Sequence, residues 1–230
     1  MGHQAYKEIK EKTPQAESRE VQEYVRCVCE AVTSDLPEPR RTSEWEITVF
    51  KDDEAINAFA LPGGNIGVYT GLLEVAETPA QLAAVVSHEI AHVRLEHANA
   101  RMSATYATQA GLGLASVLLG SEGESRERIL PLLGLGAQVG VLLPYTRSQE
   151  SEADILGLEY MAAAGFDPEA SVDLWRNMKE ASSGEPPEFL STQPSKGSRI
   201  QALQEHLPRV RESYQKARKA GKTPDCSPPV

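Results

Sequence analysis

Ser87-His88-Glu89-Ile90-Ala91-His92 is the most informative stretch of the chain, and it lies in an apolar helical pattern that runs from about Pro79 to His97. An α-helix turns once in about 3.6 residues, so His88 and His92 stand one above the other on one face. Two neutral imidazoles on adjacent turns can share one Zn²⁺. Glu89 then points beside the metal, where it can act as a general base and afterwards as a general acid.

A helix can also carry two histidines and a glutamate on a solvent-exposed face without any metal, because the four-residue spacing is common. An apolar stripe argues against this alternative, and it consists of Leu82, Val86, Ile90 and Val93. The stripe lies about a quarter-turn from the histidine pair, which therefore sits beside the buried face, where the floor of a cleft would be. The pattern favours a metal site, and a third protein ligand must come from elsewhere in the chain.

Length and composition are those of a globular protein with a full hydrophobic core. With 230 residues and 25.0 kDa, we predict one domain over residues 1–230, with an N-terminal helical segment over 1–36 and an irregular tail over 219–230. The net charge of −10 argues against nucleic acid as a partner, since a nucleic-acid-binding protein presents a basic face. Lysines and arginines near the C-terminus indicate a solvated helix face.

The least polar segments, residues 104–119 and 129–143, predict a hairpin of two apolar helices separated by a charged break. One interpretation is burial in the core or in an oligomer interface, and the other is contact with a membrane surface or an apolar substrate. Each arm is too short to span a bilayer, which favours burial. Residues 1–20 contain no apolar segment of the kind found in signal peptides.

The remaining sequence combines several helical patterns with a few short strand patterns. Helices are predicted at about residues 17–36, 71–76, 79–97, 148–164, from 168 onward and 196–206, and residues 3–12 are weakly helical. Strands are predicted at residues 46–50, 58–61 and 66–69, with a hairpin turn at Pro62-Gly63-Gly64-Asn65. Thr78 is the expected N-cap of the helix that carries the histidine pair, with Pro79 at its first position.

Glu150 is the best candidate for the third metal ligand. Glu150 and Asp154 lie four residues apart on one helix face, so Glu150 can reach the metal while Asp154 accepts the N–H of a ligand imidazole. Gly157, one turn further along the same face, would let this helix pass close to the histidine-bearing helix. Acidic helix faces are common, so the spacing alone leaves the assignment open. Glu152 points away from this face and is the solvated alternative. No histidine follows His92 at the short spacing of metzincins.

His88-Glu-x-x-His92 followed by Glu150-x-x-Ala153-Asp154-x-x-Gly157 resembles the gluzincin family of the CAAX prenyl proteases and HtpX. Within that family the chain is similar to the soluble periplasmic branch, the BepA- and LoiP-like peptidases. The segments that carry this further likeness precede the metal helix, and they are Asn57-Ala-Phe-Ala-Leu-Pro-Gly-Gly and Val68-Tyr-Thr-Gly71. The resemblance extends from about Gln4 to Ile200.

This resemblance implies one zinc ion per chain, bound by His88, His92 and Glu150, with Glu89 catalytic and Asp154 hydrogen-bonded behind a ligand. It also implies an α+β zincin fold, mostly helical, with a small sheet. An edge strand near residues 57–61 or 66–70 would lie beside the active-site helix and hold a substrate chain through main-chain hydrogen bonds.

The implied function is that of a zinc-dependent metalloendopeptidase that cleaves unfolded or misassembled proteins. Arg147 and Arg199 are candidates for supporting charges near the site, in a structural rather than a catalytic role. The alternative, from a different functional class, is a chaperone-like binding protein that grips its clients with the apolar hairpin. Family members of this branch are typically exported to the periplasm, often as lipoproteins, which is the location that the resemblance implies.

One position departs from the family pattern. Ser191-Thr-Gln193-Pro194, with Arg199 six residues after Gln193, is similar to a family segment that carries His-Pro, in which the histidine approaches the metal site. Gln193 is therefore a candidate oxyanion or gating position. An amide can donate a hydrogen bond to a tetrahedral intermediate but carries no positive charge. We expect the zinc site to form, with catalysis that is either weaker or differently gated.

Three cysteines, Cys27, Cys29 and Cys226, do not have the spacing of a zinc knuckle. Composition does not distinguish one disulfide plus a free thiol from three reduced thiols. The exported location that the resemblance implies favours a disulfide between Cys27 and Cys226, with Cys29 free. Reduced, buried cysteines are the alternative.

Overall fold

The computed structural model describes residues 2–37, 45–101, 103–104, 143–181 and 196–229. Residues 105–142, which hold nearly all of the predicted apolar hairpin, lie outside the described residues. The loop predicted over residues 182–187 and the candidate gating residue Gln193 lie outside them as well.

The described residues form helices packed around a small sheet, so the predicted α+β fold, mostly helical with a small sheet, is confirmed. The helices are α1 (Gly2–Lys12), α2 (Arg19–Ser34), α3 (Thr70–Leu73), α4 (Pro79–Arg94), α5 (Leu143–Ala163), α6 (Ala170–Ala181) and α7 (Lys196–Lys219). The strands are β1 (Glu46–Phe50), β2 (Ala58–Leu61) and β3 (Asn65–Tyr69).

The sheet has the strand order β1-β3-β2, with β3 in the centre. β3 pairs in parallel with β1 and antiparallel with β2, to which the predicted hairpin turn connects it. Gly63 and Gly64 in that turn have φ angles of 106° and 85°, which side chains rarely allow. Two segments are predicted as alternatives for the edge strand of the sheet. The alternative at residues 66–70 is wrong, because β3 is paired on both sides. The alternative at residues 57–61 corresponds to the edge strand β2. β2 also contacts α4.

Helix α4 is the central element of the fold. Thr78 caps it as predicted, with its hydroxyl oxygen accepting from the backbone N–H of Gln81 at 3.2 Å. α4 packs against α2, α5, α6 and β2, and these neighbours bury it on most sides rather than along one stripe. Of the predicted stripe, Val93 is only partly buried. The helix ends at Arg94, before the predicted His97, because Glu96 takes a left-handed φ of 56°.

Helix α5 begins at Leu143, earlier than the predicted Ser148, and ends at Ala163, and Gly165 follows it with a φ of +88°, as expected for a glycine that closes a helix. Asp167 then accepts from the backbone N–H of Glu169 at 3.0 Å at the start of α6. Helix α7 extends well past the predicted end at His206 and runs through Pro208. Proline removes one helical hydrogen bond, but α7 keeps a buried face beyond it at Val210 and Ala217, which offsets that loss.

The tail after α7 is irregular and lies against the body of the protein. Cys226 forms a disulfide with Cys27 of α2, with the two Cα atoms 5.7 Å apart. Lys222 forms an ion pair with Asp35 at the end of α2. Cys29 is buried and free. The tail therefore connects the C-terminal residues to the N-terminal half of the fold.

In the part of the chain that the structure describes, none of the helices combines the length and the apolar character needed to cross a lipid bilayer.

Candidate metal centre

The three predicted ligand side chains converge between α4 and α5. His88 and His92 of α4 and Glu150 of α5 each offer a ligand atom, and these atoms all lie within 4.8 Å of one another. The two Nε2 atoms are 3.0 Å apart. The Glu150 carboxylate faces both rings: Oε2 lies 3.3 Å from Nε2 of His88, and Oε1 lies 3.3 Å from Nε2 of His92. Two imidazoles and a carboxylate at such distances match the ligand set of a catalytic zinc site.

The three side chains can meet because α4 and α5 approach each other closely. A Cβ atom added to Gly157 would lie 2.9 Å from the backbone nitrogen of His88 and 3.0 Å from its Cα. Any side chain at Gly157 would therefore push α5 away from α4. The glycine sits two turns after Glu150 on α5, as the sequence pattern predicts for a helix that passes close to its neighbour.

The electrostatics of the site favour a bound cation. Burial raises the pKa of Glu150, but hydrogen bonds with His88 and His92 outweigh it and lower the pKa well below its usual range. Burial and the Arg199 charge lower the pKa of His88, yet hydrogen bonds to Asp154 and Glu150 raise it to about 9. The carboxylates thus favour positive charge where the ligand atoms meet, and a divalent metal ion can supply that charge.

Glu89 lies beside this cluster on α4 and is partly buried. Burial raises the pKa of Glu89 to about 7, against the opposing effect of the positive charge at His88. A carboxyl group with a pKa near neutrality can both accept and return a proton.

Asp154 and Arg199 support His88 from behind. The Asp154 carboxylate is 3.0 Å from Nδ1 of His88 and accepts a hydrogen bond from the Arg199 guanidinium. Arg199 of α7 is only 2% exposed, and its guanidinium carbon lies 3.6 Å from the centre of the Trp175 ring. Arg199 is thus brought into the site, whereas Arg147 is exposed and lies at the start of α5.

His97 supports His92, a contact that the sequence pattern does not predict. Nδ1 of His97 lies 2.8 Å from Nδ1 of His92, and Nε2 of His97 lies 3.6 Å from the carboxylate of Glu152. A continuous helix would carry a residue five positions after His92 to a different face. The turn at Glu96 redirects the chain instead, and the local sequence contains no signal for that turn.

The two remaining histidines lie elsewhere. His3 contacts the side chain of Asn65 in the sheet region, with 3.4 Å between Nδ1 and the amide nitrogen. His206 faces the backbone oxygen of Ala202 within α7 at 2.9 Å.

The geometry of the centre agrees with a comparison of the chain with known protein families. Residues 15–207 match the model of Peptidase family M48. This chain belongs to peptidase family M48. The family resemblance predicted from the sequence is therefore confirmed, and so, at the level of the family, is the predicted enzyme class, a metalloendopeptidase. Members of family M48 depend on a metal, in agreement with the convergent ligand set.

Several curated proteins are similar to this M48 chain. The mitochondrial metalloendopeptidase OMA1 of Schizosaccharomyces pombe is 37% identical over 167 residues, which are 72% of this chain and 47% of that protein. The mitochondrial metalloendopeptidase OMA1 of Bos taurus is 39% identical over 194 residues, 80% of this chain and 36% of that protein. The beta-barrel assembly-enhancing protease of Escherichia coli K12 is 32% identical over 162 residues, 65% of this chain and 32% of that protein.

The M48 chain thus spans about a third to a half of the length of these relatives. The motifs predict the family but not its mitochondrial members, because ligand spacing reflects the chemistry of the site and not the compartment in which it works.

Proposed function

We propose that this chain is a zinc-dependent endopeptidase that cleaves unfolded or misassembled proteins. The observation that carries the proposal is the convergence of His88, His92 and Glu150 beside Glu89 in a member of family M48. Zinc, when bound by the two histidines and Glu150, supplies Lewis-acid chemistry that polarises a peptide carbonyl and makes water more acidic.

Glu89 is the proposed general base. It takes one proton from the attacking water as the new C–O bond forms on the peptide carbonyl. As the C–N bond breaks, Glu89 gives that proton to the leaving amine. The partial burial that raises its pKa to about 7 suits both transfers near neutral pH.

Strand β2 is the proposed substrate-binding edge. Among the described residues it pairs with β3 alone, and it contacts α4, the helix that carries His88 and His92. An extended peptide can add to such an edge through main-chain hydrogen bonds. A locally unfolded chain adopts that extended form readily, which supports unfolded or misassembled proteins as substrates. Nothing in the acidic composition supports a nucleic-acid partner.

The second candidate function is a chaperone-like binding protein with weak or latent peptidase activity. Two sequence features favour it: Gln193 in place of the family histidine, and the apolar segments within residues 104–143. The same segments are the proposed site of oligomerisation or of peripheral membrane contact.

We place the chain in an oxidising compartment, because disulfides such as Cys27–Cys226 persist there and are rare in the cytosol. The periplasm, with attachment as a lipoprotein in a longer precursor, is the proposed location. The OMA1 relatives are named as mitochondrial proteins, so their names do not support the periplasm.

Cleavage of a reduced, unfolded protein tests the function. The parent and Glu89→Gln are loaded with zinc to equal content, measured by elemental analysis, and incubated with the same unfolded substrate. We expect cleavage by the parent and a loss of at least about 100-fold in Glu89→Gln, since general-base catalysis contributes about 10²–10⁴-fold. Equal substrate binding by both proteins, without cleavage by either, would instead support the chaperone-like function.

A further inference from the structure

His92 has one ring nitrogen directed at the metal centre and the other at a third histidine. Its Nε2 lies 3.3 Å from Glu150, and its Nδ1 lies 2.8 Å from Nδ1 of His97. Two imidazole nitrogens at 2.8 Å are at hydrogen-bond distance, and only one of them can hold the shared proton. One ring therefore donates this hydrogen bond and the other accepts it. Which ring donates depends on whether Nε2 of His92 carries a proton or binds a metal.

If His92 binds a metal through Nε2, its proton must be on Nδ1, and His92 then donates to His97. His97 accepts at Nδ1, so its own proton is on Nε2. That nitrogen lies 3.6 Å from the carboxylate of Glu152, which attracts an N–H rather than a lone pair. Each contact thus favours the same proton arrangement along the series.

We propose that His97 is a positioning residue of the metal centre: it accepts the Nδ1–H of His92 and so fixes the orientation and tautomer in which His92 presents Nε2 to the metal. The inference rests on the proposed function, since it assumes that His92 is a ligand. Hydrogen-bond partners of ligating histidines typically contribute about 10–100-fold to metal affinity.

Backbone contacts hold His97 in this position. The chain leaves α4 through the left-handed residue Glu96, whose N–H donates to the carbonyl of Val93 at 3.1 Å. The backbone oxygen of His97 then accepts from the side-chain amide of Gln149 at 3.4 Å. Gln149 directly precedes Glu150, so one short stretch of α5 contacts both the metal centre and the residue that orients it. His97 is only 3% exposed.

The test compares His97→Asn with His97→Gln. The Asn carbonyl oxygen can occupy roughly the position of Nδ1 and accept from His92, whereas the longer Gln places its oxygen nearer the position of Nε2. Both variants are polar and uncharged, so general loss of packing affects them similarly. Zinc affinity is measured by competition with a chromogenic chelator, and thermal unfolding of the metal-free proteins reports structural damage.

We expect His97→Gln to bind zinc about 10–100-fold more weakly than the parent, and His97→Asn to recover most of that loss. Cobalt-substituted His97→Gln should also show an altered visible absorption spectrum, because the orientation of a ligand ring has changed. His206→Ala is the matched control, since His206 lies within α7 and contacts only the backbone oxygen of Ala202 among the contacts described. It should leave zinc affinity unchanged.

Parental zinc affinity in both His97 variants would overturn the inference and leave the proposed function intact. Equal weakening of both variants, in proportion to the loss of stability of the metal-free proteins, would show that His97 is only structural. Failure of the parent to bind zinc, or undiminished binding after His92→Ala, would remove the proposed function itself, and the inference with it.

Discussion

The two histidines of the metal centre are supported in contrasting ways. His88 is backed by a carboxylate that is itself paired with a buried guanidinium, and Asp154 and Arg199 are 9% and 2% exposed. His92 is backed by a neutral ring, and the carboxylate behind it, on Glu152, is 58% exposed. A buried ion pair is costly to break because the remaining charge has no water around it. We therefore expect the two ligands to depend on their surroundings to different degrees.

The largest effect is expected from Arg199→Ala, which breaks the His88 side. It leaves the buried Asp154 carboxylate in contact with His88 but without its guanidinium partner, and removing one member of a buried pair typically costs about 3–5 kcal/mol. The free energy of unfolding of the metal-free protein, from urea titration, measures this loss. Arg147→Ala removes an exposed arginine and should change it by less than about 0.5 kcal/mol. A similar, small change in both variants would contradict the assigned importance of the buried pair.

Removal of zinc tests both histidine ligands together. A ligand that binds only the folded state at about 100 times its dissociation constant stabilises the protein by about 2.7 kcal/mol. We therefore expect a chelator to lower the melting temperature, and added zinc to restore it. In His92→Ala the chelator should have little effect, because that ligand set is incomplete. A chelator effect of parental size in that variant would show that the ion binds elsewhere.

Gly157→Ala is expected to increase the distance between α4 and α5. The new Cβ would lie within 3.0 Å of the His88 backbone, so α5 must shift, at a cost of about 1–3 kcal/mol. Because Glu150 moves with α5, zinc affinity should fall along with stability. Ser151→Ala, at an exposed position of the same helix, serves as the control. Unchanged zinc affinity in Gly157→Ala would mean that the helix spacing does not set the ligand geometry.

The smallest effect is expected from Glu152→Gln on the His92 side. An exposed charged partner typically contributes less than about 1 kcal/mol, and salt screens it. The variant should therefore unfold within about 1 kcal/mol of the parent, with any difference vanishing at high salt. A loss comparable to that of Arg199→Ala would show that the two histidines are supported equally, and would remove the contrast between them.

Local sequence signals predict those parts of the molecule that depend on neighbours along the chain. The cap at Thr78, the β2–β3 hairpin and the metal helix follow from such signals. Spacing and family resemblance together predict the ligand Glu150. The choice of edge strand depends on the parallel pairing of β1 with β3, which joins distant segments and leaves no local trace.

The supports of the two histidines differ in the same way. Asp154 shares a helix face with Glu150, so its place beside the metal centre follows once Glu150 is taken as a ligand. The contact of His97 with His92 depends on a single residue in the left-handed conformation, Glu96. A glutamate rarely adopts that conformation, so the sequence does not predict it. The continuation of α7 through Pro208 depends on tertiary burial that outweighs a local breaker.

The disulfide between Cys27 and Cys226 has a topological consequence. It joins positions 199 residues apart, so nearly the whole chain forms one covalent ring. A single peptide-bond break anywhere between the two cysteines opens the ring but releases no fragment. A nicked molecule would keep its mass apart from one added water and would separate into two pieces only after reduction. A single self-cleavage of this M48 chain between the two cysteines would therefore release no fragment on a non-reducing gel.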